Sequence, residues 1–434
     1  MTDESGIFSD EDLAVWPRAK RQAANIFLRL LPLAAKLILT LYMGRYLSLS
    51  DMGTYGLVFS AVMILIVLFG QRFDYTVTRE IVGERPDKAM QRMRDQAVLY
   101  GINCLVLALI IAVLIITKST NIENRIFLHI FLLTALEGYA SQVYENMNAL
   151  NSQVMANVQF FLRSGLWVFP VVVLGVLEPS FRTVDAVLIG WISGVTASYL
   201  VAAWVWRAMP WRKTFSLPVD WRWLWSGLKK TGLIWLGGLG LAAGFHVDRF
   251  VVMRFLGLEE VGVITFYASF NNALLALIHS GVSVFAYPRM IVFNREGKKE
   301  LFRKETLRAA KQVAVGGAIV AAVLGTIVPL LGRYTGHMEY ELYAAVLWLM
   351  LAGTWLRSNA DVFFLVLYAR HQDCPIWLGN LLFLVPALGF NALFVPVFGL
   401  KGIGYGTICA SLFLLGWRAW FVFKRAKNYA PVKN

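Results

Sequence analysis

Charge is scarce in this 434-residue chain: Asp, Glu, Lys and Arg make up 16% of it, where a soluble domain carries about 25%. Apolar residues take that share, at 58%. They come in runs of about 18 or more, the length that crosses a hydrocarbon core of roughly 30 Å. A soluble core is excluded. Cysteine is also rare. Cys104, Cys374 and Cys409 stand far apart with no CxxC pair, and the five histidines are equally scattered. Neither a disulfide framework nor a metal-ligand pattern is present, so no metal is predicted. No signal peptide is visible. Long hydrophilic segments are missing too: outside loops reach about a dozen residues and inside ones about two dozen, leaving no room for an extramembrane catalytic domain. GxSxG, Walker and HExxH motifs are absent, which predicts no ATP hydrolysis, no catalytic residue and no cofactor. The chain is read as something other than an enzyme, working within the bilayer.

Acidic residues are the minority charge, 27 against 41 basic, for a net charge of +14. Such a balance would admit nucleic acid. The basic residues lie mostly between apolar runs, however, so they report topology, and no nucleic-acid partner is predicted. Twelve spans are predicted, at 25–44, 54–73, 98–117, 126–147, 158–177, 186–206, 231–253, 263–287, 312–330, 342–369, 377–397 and 403–423. Each must be helical, because backbone groups in lipid have to satisfy one another. With both termini inside, the cytoplasmic segments hold 28 Lys and Arg, counting Arg72 at the inner edge of span two, and the outside loops seven. That bias places both ends in the cytoplasm. The layout is a cytoplasmic tail over 1–24, a six-helix bundle over 25–206, a cytoplasmic linker over 207–230, a second six-helix bundle over 231–423 and a tail over 424–434.

The two halves share a turn. Arg45-Tyr46-Leu47-Ser48-Leu49-Ser50-Asp51-Met52-Gly53 enters span two, and Arg254-Phe255-Leu256-Gly257-Leu258-Glu259-Glu260-Val261-Gly262 enters span eight, at a constant offset of 209 residues. Asp51 is a candidate helix N-cap there. An even number of spans per half makes the repeats parallel, and substrate sites in such proteins tend to lie between the halves. The Leu49–Tyr55 turn, the Asp248-Arg249 pair and the Pro396–Gly404 turn resemble bacterial polysaccharide flippases. Those are the O-antigen and exopolysaccharide exporters of the multidrug/oligosaccharidyl-lipid/polysaccharide superfamily. The resemblance spans essentially the whole chain, although each motif is weak alone. It implies an all-α polytopic membrane protein, two six-helix bundles around a central cleft, alternating access, and an undecaprenyl-diphosphate-linked oligosaccharide as cargo.

Leaving aside Arg72 at the inner edge of span two, six basic residues fall inside spans: Arg29, Lys36, Arg163, Arg249, Arg357 and Arg418. Each costs about 2.5–3.5 kcal/mol at a helix centre. Arg418 is near an inner end and is expected to snorkel. Arg29 and Lys36, seven residues apart, lie within about 20° on one helix face, with Asn25 and Pro32 nearby. Lys36 has no charged neighbour on its own helix. Arg29, Lys36, Arg163, Arg249 and Arg357 are the candidates for binding a diphosphate, whose oxygens suit guanidinium and ammonium donors. Interhelical pairing or snorkelling is the ordinary reading of any one of them.

Carboxylates inside spans are candidates for coupling to H+ or Na+: Glu137, Asp248 and Asp361. Glu137 reads as alone in mid-span, with Glu145 two turns on. Asp361 is placed to pair with Arg357 at i, i+4. Asp248 and Arg249 are adjacent and do not share a helix face, so no pair is expected. His246 and His279 read as packed and neutral. Gly237, Gly238, Gly240 and Gly244 in span seven, and Gly190 with Gly194 in span six, predict close helix packing or, in span seven, a hinge. Pro32, Pro170 and Pro386 predict kinks. The leading expectation is a flippase in the bacterial inner membrane. Its partners would be a lipid-linked oligosaccharide, membrane lipids and the glycan polymerase and export machinery. A multidrug exporter of the same superfamily would prefer acidic residues at membrane depth. A glycan polymerase or ligase would need a longer extramembrane loop, and nothing resembles a channel's selectivity filter.

Overall fold

The computed structural model describes residues 18–118 and 123–426, with side chains from Phe27 to Lys424 within those ranges. Among these residues the chain is helical almost throughout and contains no strand. The N-terminal tail up to residue 17 and the last eight residues of the C-terminal tail lie outside the described residues. Arg18 opens the first helix, inside the basic flank.

In chain order the helices are α1 Arg18–Tyr46, α2 Leu49–Gly70, α3 Asp74–Ile81, α4 Pro86–Ile116, α5 Asn124–Ala149, α6 Gln153–Phe161, α7 Val168–Leu177, α8 Val184–Val205 and α9 Trp211–Ser216. There follow α10 Trp221–Phe255, α11 Leu258–Ile278, α12 Val284–Arg295, α13 Lys299–Thr335, α14 Glu339–Leu342, α15 Ala344–Ala369, α16 Asp373–Leu382, α17 Leu384–Phe398 and α18 Lys401–Ala426. Eleven stretches are long and apolar enough to cross a membrane, taking α6–α7, α11–α12 and α16–α17 as one each. Helix α15 lies at the remaining predicted span; Arg357, Ser358, Asn359 and Asp361 make it more polar. Helices α4, α10 and α13 begin about ten residues before their predicted spans, because a helix keeps its hydrogen bonds past the end of its apolar stretch. One side of α4 exposes Leu105, Leu109, Val113 and Ile116, a face that only lipid would cover.

Proline marks the interruptions. Widened π turns at Leu162–Leu166 and His279–Ser283 precede Pro170 and Pro288. The break at Phe383 precedes Pro386. Each proline lacks the N–H that the turn before it would use. Pro32, by contrast, sits inside an unbroken α1.

Two compact units divide the chain: the first runs to Leu39 and resumes over Ala61–Trp235, and the second takes Thr40–Ser60 and everything from Leu236. Thr40–Ser60, from the N-terminal half of the sequence, thus belongs to the second unit. In the first unit Phe73, Val77, Ile81, Met90, Met147, Val205 and Leu224 form one core. The predicted linker is built structure. Arg94, paired with buried Asp95 at 2.5 Å, donates to the carbonyls of Thr214, Leu217 and Pro218 at 2.5, 2.6 and 3.0 Å.

In the second unit the repeated turns meet. A Cβ on Gly53 would lie 2.1 Å from the Leu258 carbonyl oxygen, and one on Gly262 would lie 2.1 Å from that of Leu49. Leu258 and Gly262 are the repeat counterparts of Leu49 and Gly53, so the contact is reciprocal, as a local two-fold requires. The N-cap of α2 is Ser48 and not Asp51: the Ser48 hydroxyl accepts from the Asp51 amide at 3.1 Å and donates to its carboxylate at 2.7 Å. Asp51 therefore sits one turn in, where its carboxylate accepts from the capping hydroxyl.

Candidate functional site

In the first unit the polar site is assembled by α1, α5, α8 and the π turn between α6 and α7. The extra residue in that turn re-aims the helix at Arg163. Its guanidinium is 7% exposed, with Nε 3.2 Å from Glu137 Oε1. Trp191 Nε1 donates to Glu137 Oε2 at 3.3 Å. Glu137, 8% exposed, is therefore not the solitary carboxyl the sequence predicted. Its partners come from helices that local spacing does not bring into view. Gly165, in the π turn, approaches α1 so closely that a Cβ there would lie 3.1 Å from Pro32 Cα. One turn further along α1, Lys36 is solvent-accessible and within electrostatic reach of both Glu137 and Arg163. Arg29 is also accessible, and its Nε donates to Oδ1 of buried Asn157 at 3.2 Å. Arg29, Lys36, Arg163 and Glu137 thus share one unit.

The second unit holds a cavity of about 180 Å³ between α10, α11, α15, α17 and α18, with Asp248, Arg249 and Arg357 in its wall. Asp248 and Arg249 do pair, contrary to expectation: Nη1 of Arg249 reaches Asp248 Oδ1 at 2.8 Å. The argument from helix faces failed because the long guanidinium stem folds back beside its own helix, where Nη1 also donates to the Phe245 carbonyl at 3.3 Å. Arg249 is 5% exposed and does not snorkel.

The expected Arg357–Asp361 pair does not form. Asp361 is taken by Arg418, whose Nη1 donates to Asp361 Oδ1 at 2.6 Å and whose Nη2 donates to Asn380 Oδ1 at 3.0 Å. Arg418 is 2% exposed, so it does not snorkel either. It is a site residue that the sequence reading left out. The only signal for it was its charge inside an apolar run. Arg357 instead lies over the Phe245 ring, with Cζ 3.2 Å from the centroid.

His246 lines the same cavity and stands edge-on to Phe59, with centroids 5.8 Å apart. His279 is exposed, at the head of its π turn. The span-seven glycines take the close-packing role: Cβ atoms at Gly237, Gly240 and Gly244 would lie 2.5–2.8 Å from Trp377, Leu381 and Phe383. Gly190 and Gly194 pack on Val171 and Trp167 in the same manner.

Neither a protein-family model nor a curated protein sequence matches the chain. Solved structures do. A multidrug resistance MATE family transporter of the MOP superfamily, in an inward-facing conformation, superposes with a TM-score of 0.71 at 15% identity, covering 93% of this chain and 100% of that one. Lipid II flippase MurJ, in an inward closed conformation, gives 0.69 at 12% identity over 93% and 87%. A MOP superfamily transporter from Pyrococcus furiosus, titled for the reverse polarity of its binding pocket, gives 0.59 at 14% identity over 94% and 96%. The chain is a multi-pass, all-α membrane protein with the fold of those transporters.

Proposed function

We propose that this chain is a flippase. It moves an undecaprenyl-diphosphate-linked oligosaccharide from the inner to the outer leaflet of a bacterial inner membrane, for polysaccharide biosynthesis, by alternating access. The carrying observation is Lys36: a lysine in the middle of an apolar helix, on one helix face with Arg29 and within electrostatic reach of Glu137 and Arg163. A cation at that depth is expensive and marks an ion or substrate path, and diphosphate oxygens are suitable acceptors. In each unit three cations at membrane depth face two carboxylates: Arg29, Lys36 and Arg163 against Glu137 and Glu145, and Arg249, Arg357 and Arg418 against Asp248 and Asp361.

Fold alone serves more than one cargo class. One chain of this fold is named a lipid II flippase and another a multidrug resistance transporter, while a third is titled for reversed pocket polarity. Polarity therefore decides. Arg163, Arg249 and Arg418 each hold one of the carboxylates Glu137, Asp248 and Asp361, which weighs against a cationic drug as cargo. Within this reading Arg163 and Arg249 position neighbouring groups as well as adding positive charge. The same three carboxylates are the groups through which H+ or Na+ would couple, since neutralising any of them releases an arginine. Membrane lipids and the glycan polymerase and export machinery are the partners this role implies.

The test is flipping of a fluorescent diphosphate-linked oligosaccharide in proteoliposomes. Lys36→Gln with Arg29→Gln should reduce the rate by about tenfold or more, with Lys36→Arg retaining most of it. Full flipping by the double variant, with efflux of a cationic dye, would replace this reading by the multidrug one. If flipping persisted after collapse of both proton and sodium gradients, the coupling role would be lost.

A further inference from the structure

The cavity of the second unit has a charge imbalance that its own residues do not resolve. Two guanidiniums, Arg249 and Arg357, line it with a single carboxylate, Asp248, and that carboxylate is bound to Arg249. The one other carboxylate near Arg357, Asp361, is held by Arg418 at 2.6 Å. Among the described residues Arg357 makes no ion pair and no hydrogen bond. Phe245 covers one face of its guanidinium, and its buried Nε has no acceptor. Arg249 Nε and His246 Nδ1 are buried in the same wall without partners. An arginine keeps its charge in a protein; Arg357 is only partly exposed, and an unpaired cation in such a setting favours an anion beside it. The donors therefore call for an acceptor that none of the described residues supplies.

We infer that this cavity binds a small free monovalent anion, of which chloride is the representative, between Arg357 and Arg249. One negative charge cancels the surplus of one positive charge. The size selects against larger ligands, because about 180 Å³ is below the roughly 300–1,000 Å³ of sites that enclose drug-sized molecules. It leaves space for a halide and a few waters, not for a saccharide. Thr354, Asn271, Asn391 and Ser411 in the wall supply hydroxyl and amide groups for those waters. The anion would act as a counter-ion built into this unit, separate from the cargo read above.

The experiment compares thermal unfolding of the purified full chain in sodium chloride, sodium bromide and sodium gluconate at equal ionic strength. Holding sodium constant removes any effect of the cation. Chloride and bromide should raise Tm over gluconate by about 2 °C or more. The gain should vanish in Arg357→Gln and persist in part in Arg357→Lys. Crystals grown in bromide should show anomalous scattering beside Arg357. Equal Tm in the three salts, the same halide gain in Arg357→Gln, or no bromide signal at the cavity would each overturn the inference. Should Arg357→Gln fail to fold, the bromide signal in the unmodified protein decides. No cargo enters these measurements, so their failure leaves the flippase reading standing, and failed flipping leaves this one standing.

Discussion

Asp361 and Arg418 form an ion pair between α15 and α18, with Oδ1 and Nη1 2.6 Å apart. This pair, and not the i, i+4 neighbour, determines what remains for Arg357. The two members are unequally exposed: the Arg418 guanidinium is sealed in, while the Asp361 side chain is 42% exposed. Asp361→Asn strands a buried cation, so it should destabilise by about 1–3 kcal/mol, below the full cost of breaking a buried pair because water reaches the carboxylate. Adding Arg418→Met should restore part of the loss. Thermal unfolding of the single and double variants measures the coupling; strictly additive losses would contradict it.

Glu137 and Arg163 are both buried, so their separation should cost more. Glu137→Gln is expected to lose about 3 kcal/mol, and Glu137→Gln with Arg163→Met less than that. Trp191→Phe removes the hydrogen bond to Glu137 Oε2 together with part of a buried indole's packing and should lose at least about 1 kcal/mol. Denaturation in a mild detergent ranks the three. A Glu137→Gln protein as stable as the parent would show that the pair contributes nothing.

The reciprocal contact between the repeated turns predicts a matched response. Gly53→Ala and Gly262→Ala each place a methyl against a backbone carbonyl that has no rotamer to yield, and each should destabilise by about 1–3 kcal/mol. Gly101→Ala, on α4 with nothing within 4 Å, should instead gain about 0.5–1 kcal/mol. Tm of the three variants checks both signs.

On the face holding Arg94, Asp220 caps α10 by accepting from the Trp223 amide at 3.0 Å and pairs with Arg92 at 2.9 Å. The amide first, and Arg92 second, hold its carboxyl below the usual range. The Lys213 ammonium does the same for Asp87, through a 3.2 Å hydrogen bond. A carboxyl whose folded pKa is depressed adds stability above its unfolded pKa and loses it as pH falls through the folded value. Tm should thus be flat from pH 7 to about 5 and fall below about pH 4. Asp220→Asn keeps the cap but loses the titration, so its acid limb should be shallower. Salt should weaken the effect in the parent, since these groups are open to water.

The twelve predicted spans and the paired turns could be read from the chain because hydrophobic length and local spacing are one-dimensional quantities. The kinks at Pro170 and Pro386 were legible for the same reason: a missing N–H acts within one turn. What sequence spacing misjudged was charge pairing. Glu137 looked alone, Asp361 looked tied to Arg357, Asp248 looked separate from Arg249, and Arg418 looked free to snorkel. Three of these errors came from testing partners only along one helix; the Asp248–Arg249 error came from treating the guanidinium stem as fixed to its helix face.

The sequence by itself determined that this protein lives in a bilayer, that its interior carries an excess of positive charge, and that its halves repeat. Which carboxylate each arginine takes was decided only by the tertiary structure. For Arg163 and Arg418 the pairing is settled by separations of 3.2 and 2.6 Å between helices far apart in the chain, and no periodicity records those distances. The same is true of Arg357, which among the described residues has no ion pair, while Arg418, 61 residues later, pairs with Asp361.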